Sequence, residues 1–199
     1  MNNQKKPINM AMTVKRRKDT QTPRVLMHKL ADIRGGVSVN VTELGGDFLP
    51  EGAVLSAPID GICHVVKIAK LTEEAGSSDT TIKVAKGHNL LVGDVVMADE
   101  GGKAYPITKI DKTNSASDAV TVSTTLGVKI EKDGFLIQAK AESSTTTSAL
   151  KYVPLAISGT GKPVVQGQNF DTDAWVMAVT KGNPLPDCVK KHLTGIINY

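Results

Sequence analysis

The sequence predicts a mainly β protein, with a small β-barrel or sandwich domain inserted into an outer β-rich domain and an extended arm at the N-terminus. Three observations lead there. Apolar and polar residues alternate in short runs, as in Val37-Ser38-Val39-Asn40-Val41-Thr42, which is the period of a half-buried strand. The 18 glycines and 9 prolines punctuate those runs, and β-branched residues rather than aromatics carry the hydrophobicity. Two similar polar links, "EEAGSSDT" (73–80) and "ESSTTTSA" (142–149), bracket a compact series of strand signals.

The elements follow in chain order. Residues 1–24, "MNNQKKPINMAMTVKRRKDTQTPR", are polar and basic with little apolar periodicity, as expected of an arm that orders only on a partner. "VLMHKLADI" (25–33) reads as a short helix or an extended docking segment. "VSVNVTEL", "AVLSAPIDG" and "ICHVVKIAKL" are extended runs separated by "GGDFLPEG". Between the links, "TTIKVA", "VVMA", "AYPITKID", "VTVSTTL" and "FLIQAKA" are strands joined by turns such as "DEGGK" and "EKDG", at the spacing of a small barrel or sandwich. "LKYVPLAI", "VVQGQNF" and "AWVMAVTKG" return to the outer unit. "LPDCVKKHLTGIINY" closes as a short helix, opened by Pro186 and ended by Gly195, before a terminal strand. The resulting division is an arm at 1–24, an outer domain at 25–75 and 148–199, and an inserted domain at 76–147.

The formal charge of +4 is unevenly placed. Residues 1–24 carry +6 and the other 175 carry −2, so the basicity belongs to the arm. A body that gripped nucleic acid would show the reverse. Cys63 and Cys188 are too few and too far apart for a disulfide framework and read as free thiols of a chain folded in a reducing cytoplasm. No apolar run of leader type follows the first lysines, and no stretch reaches the ~20 apolar residues of a membrane span.

Motifs for chemistry fail on their own terms. "SGTGKP" (158–163) has Ala156 where a phosphate-binding loop needs its first glycine, and Pro163 where it needs Ser or Thr. Pro163 also opens a strand, not the helix whose N-terminus would hold phosphate. His28, His64, His88 and His192 are scattered, and Cys63 and His64 point to opposite sides of a strand, so no metal site is expected. No Gly-x-Ser-x-Gly elbow occurs, and the pairs Glu73-Glu74 and Asp99-Glu100 fall in turns or links. Neither catalysis nor a cofactor is expected. "GHNLLVGDVVMADEGGKAYPITKID" (87–111) reads as strand–turn–strand, with Asp94 ending a turn after Gly93 and the charged remainder facing water.

The candidate binding residues are therefore Lys15, Arg16, Arg17, Lys18 and Arg24. They could neutralise phosphates, but no aromatic residue interleaves them to stack on bases, which favours an acidic protein surface. Ile8, Met10, Met12 and Val14 alternate just before them, a pattern suited to adding a strand to a partner's sheet.

The block "IKVAKGHNLLVGDVVM…GGKAYPITKIDKTNSASDAVTVSTTLG" resembles the small β-domains of tailed-bacteriophage virion proteins. Its flanks "LPEGAVLSAPIDG" and "AWVMAVTKGNPLP" are similar to phage head decoration and head fibre proteins, and the resemblance spans most of residues 40–190. It implies a structural protein made in the host cytoplasm and carried on the outer capsid surface of the virion. Its partners would be the major capsid protein and copies of itself, with a trimer favoured by the threefold sites of a capsid lattice. Two alternatives stand beside it: a basic-armed nucleic-acid-binding protein, and a β-module that binds a host-surface glycan.

Overall fold

The computed structural model describes residues 24–165 and 167–199, and they are mainly β. The strands are β1 (Leu26–Asp32), β2 (Val37–Val39), β3 (Phe48–Leu49), β4 (Val54–Ser56), β5 (Ile68–Lys70), β6 (Thr81–Val84), β7 (Val95–Met97), β8 (Ala104–Asp111), β9 (Asp118–Val122) and β10 (Phe135–Gln138). They continue with β11 (Pro154–Ser158), β12 (Lys162–Pro163), β13 (Phe170–Thr172) and β14 (Ala174–Thr180). A single turn of helix, α1 (Asp187–Lys190), precedes β15 (Ile196–Asn198).

Two sheets dominate. The first runs β1-β14-β11-β4, with β15 added parallel to β14. The second runs β5-β10-β7-β8-β9-β6 and is antiparallel throughout. Short ribbons pair β12 with β3 and β13 with β2. The first sheet thus takes strands from both ends of the described chain, and the second takes a continuous stretch from its middle. The chain leaves the first sheet at Ser56 and re-enters at Pro154, and these two residues are direct cross-strand partners.

The expected barrel is not closed. Its end strands meet at one bridge, Leu71–Val84, supported by the Thr72 and Ala85 amides donating to the Lys83 and Lys70 carbonyls. Strands three or four residues long give a clasp there rather than a closing ladder. β5 also lies before residue 76, so this sheet begins ahead of the first polar link.

Alternation along the strands explains how the sheets stack. Successive side chains of a strand point to opposite faces. In β7, Val96 joins a core with Ile82, Val120 and Leu136, whereas its neighbour Met97 packs with Leu26, Ile157 and Val189. In β10, Leu136 and Ile137 divide the same way. In the first sheet, Val54 and Ile157 face Met97's cluster, while Leu55 and Ala156 face a third one with Val39, Val41 and Leu49. The order through the molecule is therefore core, sheet, core, sheet, core. Strands buried on both faces read as continuous apolar runs, which is why "VVM" and "FLI" lack alternation. Each fully buried Val, Leu or Ile contributes about 1.5–3 kcal/mol, so the middle layer binds the two sheets firmly.

"VLMHKLADI" resolves as the extended β1, and the helix expected from Pro186 to Gly195 is present only as the single turn α1, ending at Lys190, followed by the terminal strand. "SGTGKP" crosses from β11 to the short β12, a strand and not a helix start. No helix among the described residues is long and apolar enough to cross a membrane.

Candidate functional site

Three polar centres lie where separate segments of the chain meet. The first is built on Glu43, in the loop after β2. Its Oε1 accepts from His64 Nδ1 at 2.6 Å, and its Oε2 accepts from Tyr152 Oη at 2.6 Å and Lys151 Nζ at 3.0 Å. The Tyr152 ring stacks on His64 at 4.4 Å. Burial alone would raise the Glu43 pKa, but the hydrogen bonds from Tyr152, Lys151 and His64 outweigh it and hold the carboxyl below its usual value. With hydrogen bonds on both oxygens, this carboxylate ties three segments together.

The second centre is Lys67, whose side chain is 1% exposed. Its Nζ lies 2.6 Å from Asp94 Oδ2. Asp94 also accepts from the Leu91 amide and from Gln138 Nε2, both at 2.8 Å. Burial lowers the Lys67 pKa, and Asp94 opposes that shift. The pair stitches the approach to β5, the turn before β7 and the end of β10.

The third centre is His88. Its Nδ1 accepts the Leu90 amide at 3.0 Å, which leaves the proton on Nε2. That nitrogen lies 3.2 Å from Asp118 Oδ2 but off line for a hydrogen bond. Burial depresses the imidazole pKa against the pull of Asp118, so the ring is neutral, and Lys86 supplies the charge partner of Asp118. Beside it, the Gly45 amide donates to the Asn89 carbonyl at 3.0 Å and Lys112 Nζ donates to the Gly45 carbonyl at 3.0 Å. A Cβ at Gly45 would sit well inside van der Waals contact with the Leu90 carbonyl oxygen, and one at Gly46 would strike the Asn89 side chain. Neither glycine has positive φ. They are required by close approach.

These contacts correct the reading of 87–111. The strand–turn–strand is present as β7 and β8, but His88 is buried, and Asp94 turns toward Lys67 and Gln138 of other segments. A cleft of about 330 Å³ lies between the sheets, bordered by Glu51, Val66, Lys70, His88, Phe135 and Leu185. Its ionic groups are engaged elsewhere: Glu51 Oε1 accepts the Val25 and Leu26 amides, and Lys70 pairs with Asp133. Among the described residues, no group of three or more His, Cys, Asp or Glu could hold a metal ion.

Of the candidate binding residues, Lys15, Arg16, Arg17 and Lys18 lie outside the described residues. Arg24 is exposed, one residue before the amides clamped by Glu51. Arg24 is not among the residues of the three polar centres. Sequence reasoning missed Glu43, Lys67 and Tyr152; the one available signal was Lys67 interrupting the apolar run "HVVKIA".

Both cysteines are buried and free. Burial, assisted by the charge of Asp99, pushes the Cys188 thiol up to about 11, and burial also raises Cys63. Since the thiolate is the reactive form, neither should react with a disulfide reagent such as DTNB in the native protein at neutral pH. Both should titrate after unfolding; rapid native labelling of either would contradict the packing described here.

Glu43 gives a pH test. A carboxyl with a lowered folded pKa adds stability that is fully present above its unfolded value, near 4.5, and is lost as the pH falls through the folded value. Glu43→Gln should therefore cost about 2 kcal/mol at neutral pH, with the difference from wild type shrinking in acid. Denaturant titrations over the acid range would show the two curves converging, and parallel curves would refute the assignment.

No protein-family model matches the chain, and neither does any curated protein or solved structure.

Proposed function

We propose that the chain is a structural virion protein of a tailed phage, a head decoration or head fibre protein on the outer capsid surface, anchored to the major capsid protein partly through its N-terminal arm. The observation that carries this reading is the split of charge, +6 in residues 1–24 beside −2 in the rest. A basic arm on a neutral-to-acidic body suits attachment to an acidic protein surface, with the arm steering association. The sequence resemblance set out above supports the phage assignment. The three polar centres support a structural role, since their charged groups are spent on joining segments.

In this reading residues 76–147 form a domain inserted into the outer one. Support comes from the departure and return of the chain at neighbouring strands, β4 and β11, with β6 to β10 of the second sheet falling inside 76–147 and β5 alone preceding it. The middle core would then serve as the interface between the domains.

The deciding experiment is co-sedimentation with purified phage heads lacking the protein, using the full chain and a variant without residues 1–23. The full chain should sediment with heads, and the truncated one should stay folded by circular dichroism while losing most of that binding. Full occupancy by the truncated chain would place the anchor in the β body. No binding to heads, together with DNA or RNA binding that falls steeply with salt, would establish the nucleic-acid reading instead.

A further inference from the structure

We propose that Lys67, Asp94 and Gln138 act on one another to join Lys67 to Gln138 through an isopeptide bond, with release of ammonia. The three side chains meet at one carboxylate. Lys67 Nζ lies 2.6 Å from Asp94 Oδ2, and Gln138 Nε2 lies 2.8 Å from Asp94 Oδ1. Amine and carboxamide therefore hang on the two oxygens of a single group. The backbone holds them there. β5 and β10 pair Ile68 with Ile137, and the Gln138 amide donates to the Lys67 carbonyl at 3.1 Å. Gln138 is thus opposite Lys67, and such cross-strand partners project from the same face of the sheet. Ala69 and Leu136, two residues along their strands, mark that face as apolar core.

Burial sets this trio apart from a surface ion pair. Lys67 and Gln138 are each 2% exposed. Gln138 Oε1 has no hydrogen-bond partner, and an orphaned acceptor in the interior calls for a reason. Desolvation also lowers the Lys67 pKa, which favours the free amine that a lysine nucleophile requires.

The step balances without any further reactant. Asp94, as general base, takes a proton from the Lys67 ammonium. Its new hydroxyl donates to Oε1 once the carboxamide turns over, which supplies the partner this oxygen lacks and polarises Cδ. The freed lone pair on Nζ adds to Cδ, and the adduct collapses with the Cδ–Nε2 bond broken. The departing nitrogen takes the Asp94 proton and one more from Nζ, and leaves as ammonium. Lys67 borders the cleft between the sheets, which gives the ammonium a way out. Asp94 ends as a carboxylate facing a neutral amide. The new bond closes a covalent loop over residues 67–138 that holds all six strands of the second sheet. Closing it restricts the unfolded chain. One such event per molecule consumes no outside substrate, and it does not rest on the capsid role.

The test is intact-mass spectrometry of the purified full chain under denaturing conditions, followed by tryptic mapping. The chain should weigh less than its sequence by one ammonia. Mapping should find a branched peptide joined from Lys67 to position 138, with no cleavage after Lys67. The branch distinguishes this bond from an asparagine succinimide, which sheds ammonia without branching. Lys67→Met removes the nucleophile, and Asp94→Asn removes the proton acceptor while keeping the side chain's size; both should show the full sequence mass. The wild-type reading requires no variant to fold. Full sequence mass in the wild type, a branch from Lys67 to any residue other than Gln138, loss of water in place of ammonia, or undiminished bond formation in Asp94→Asn would each overturn the proposal.

Discussion

Replacing Gly45 by alanine should destabilise the protein by about 3 kcal/mol, the upper part of the range for overpacking. Gly45 has no positive φ to preserve, so the cost is steric and falls on one contact. The loop after β2 lies flat against residues 88–90 of the turn before β7, with the Gly45 amide on the Asn89 carbonyl and the Lys112 ammonium on the Gly45 carbonyl. A methyl group at Gly45 runs into the Leu90 carbonyl oxygen, which is backbone and cannot rotate aside. Relief requires lifting the loop, which breaks both hydrogen bonds and uncovers Leu44 and Leu90, buried members of two different cores. Gly35→Ala is the control: nothing lies within 4 Å of its Cβ position, so only the strain of its positive φ is added. That strain is about 1 kcal/mol. Chemical denaturation should rank Gly45→Ala clearly below Gly35→Ala, and equal losses would mean that the close approach is not a constraint.

Asp94→Ala should cost about 3–5 kcal/mol, because it leaves the Lys67 ammonium in the interior without its carboxylate. It also strands the Gln138 amide group, whose Oε1 is already without a hydrogen-bond partner. Replacing both members, Lys67→Met with Asp94→Ala, removes the buried charge along with its partner and should recover a large part of the loss. The sign of the pH dependence follows from Lys67. Its folded pKa lies below its unfolded one, so in Asp94→Ala the unfolded chain holds the proton more tightly. The variant should regain stability as the pH rises from the folded pKa toward the unfolded value of about 10.5. A double variant no more stable than Asp94→Ala would show that the pair is not the source of the loss.

Much of the fold was legible because local periodicity is a local consequence of burial. Ile82 and Val84 alternate with Thr81 and Lys83 in β6, and the hairpin glycine Gly101 adopts the positive φ its turn requires. What the sequence hid was set by partners distant in the chain. β1 reads equally as helix or strand in isolation, and pairing with β14, roughly 150 residues away, decides it. β3 and β12 are two residues each and exist only because they face one another. The polar centres were hidden for the same reason: Glu43, His64 and Tyr152 are each unremarkable until the fold brings them within hydrogen-bonding distance. The barrel expectation failed on closure, which depends on strand lengths at the seam between β5 and β6.

Electron cryomicroscopy of phage heads incubated with the purified chain tests the central proposal most directly. The account predicts added β-rich density at regular sites on the outer face of the capsid lattice, joined to the shell through a thin connection that accommodates residues 1–23. Heads with a bare outer surface, or added density confined to the interior with the packaged nucleic acid, would contradict it.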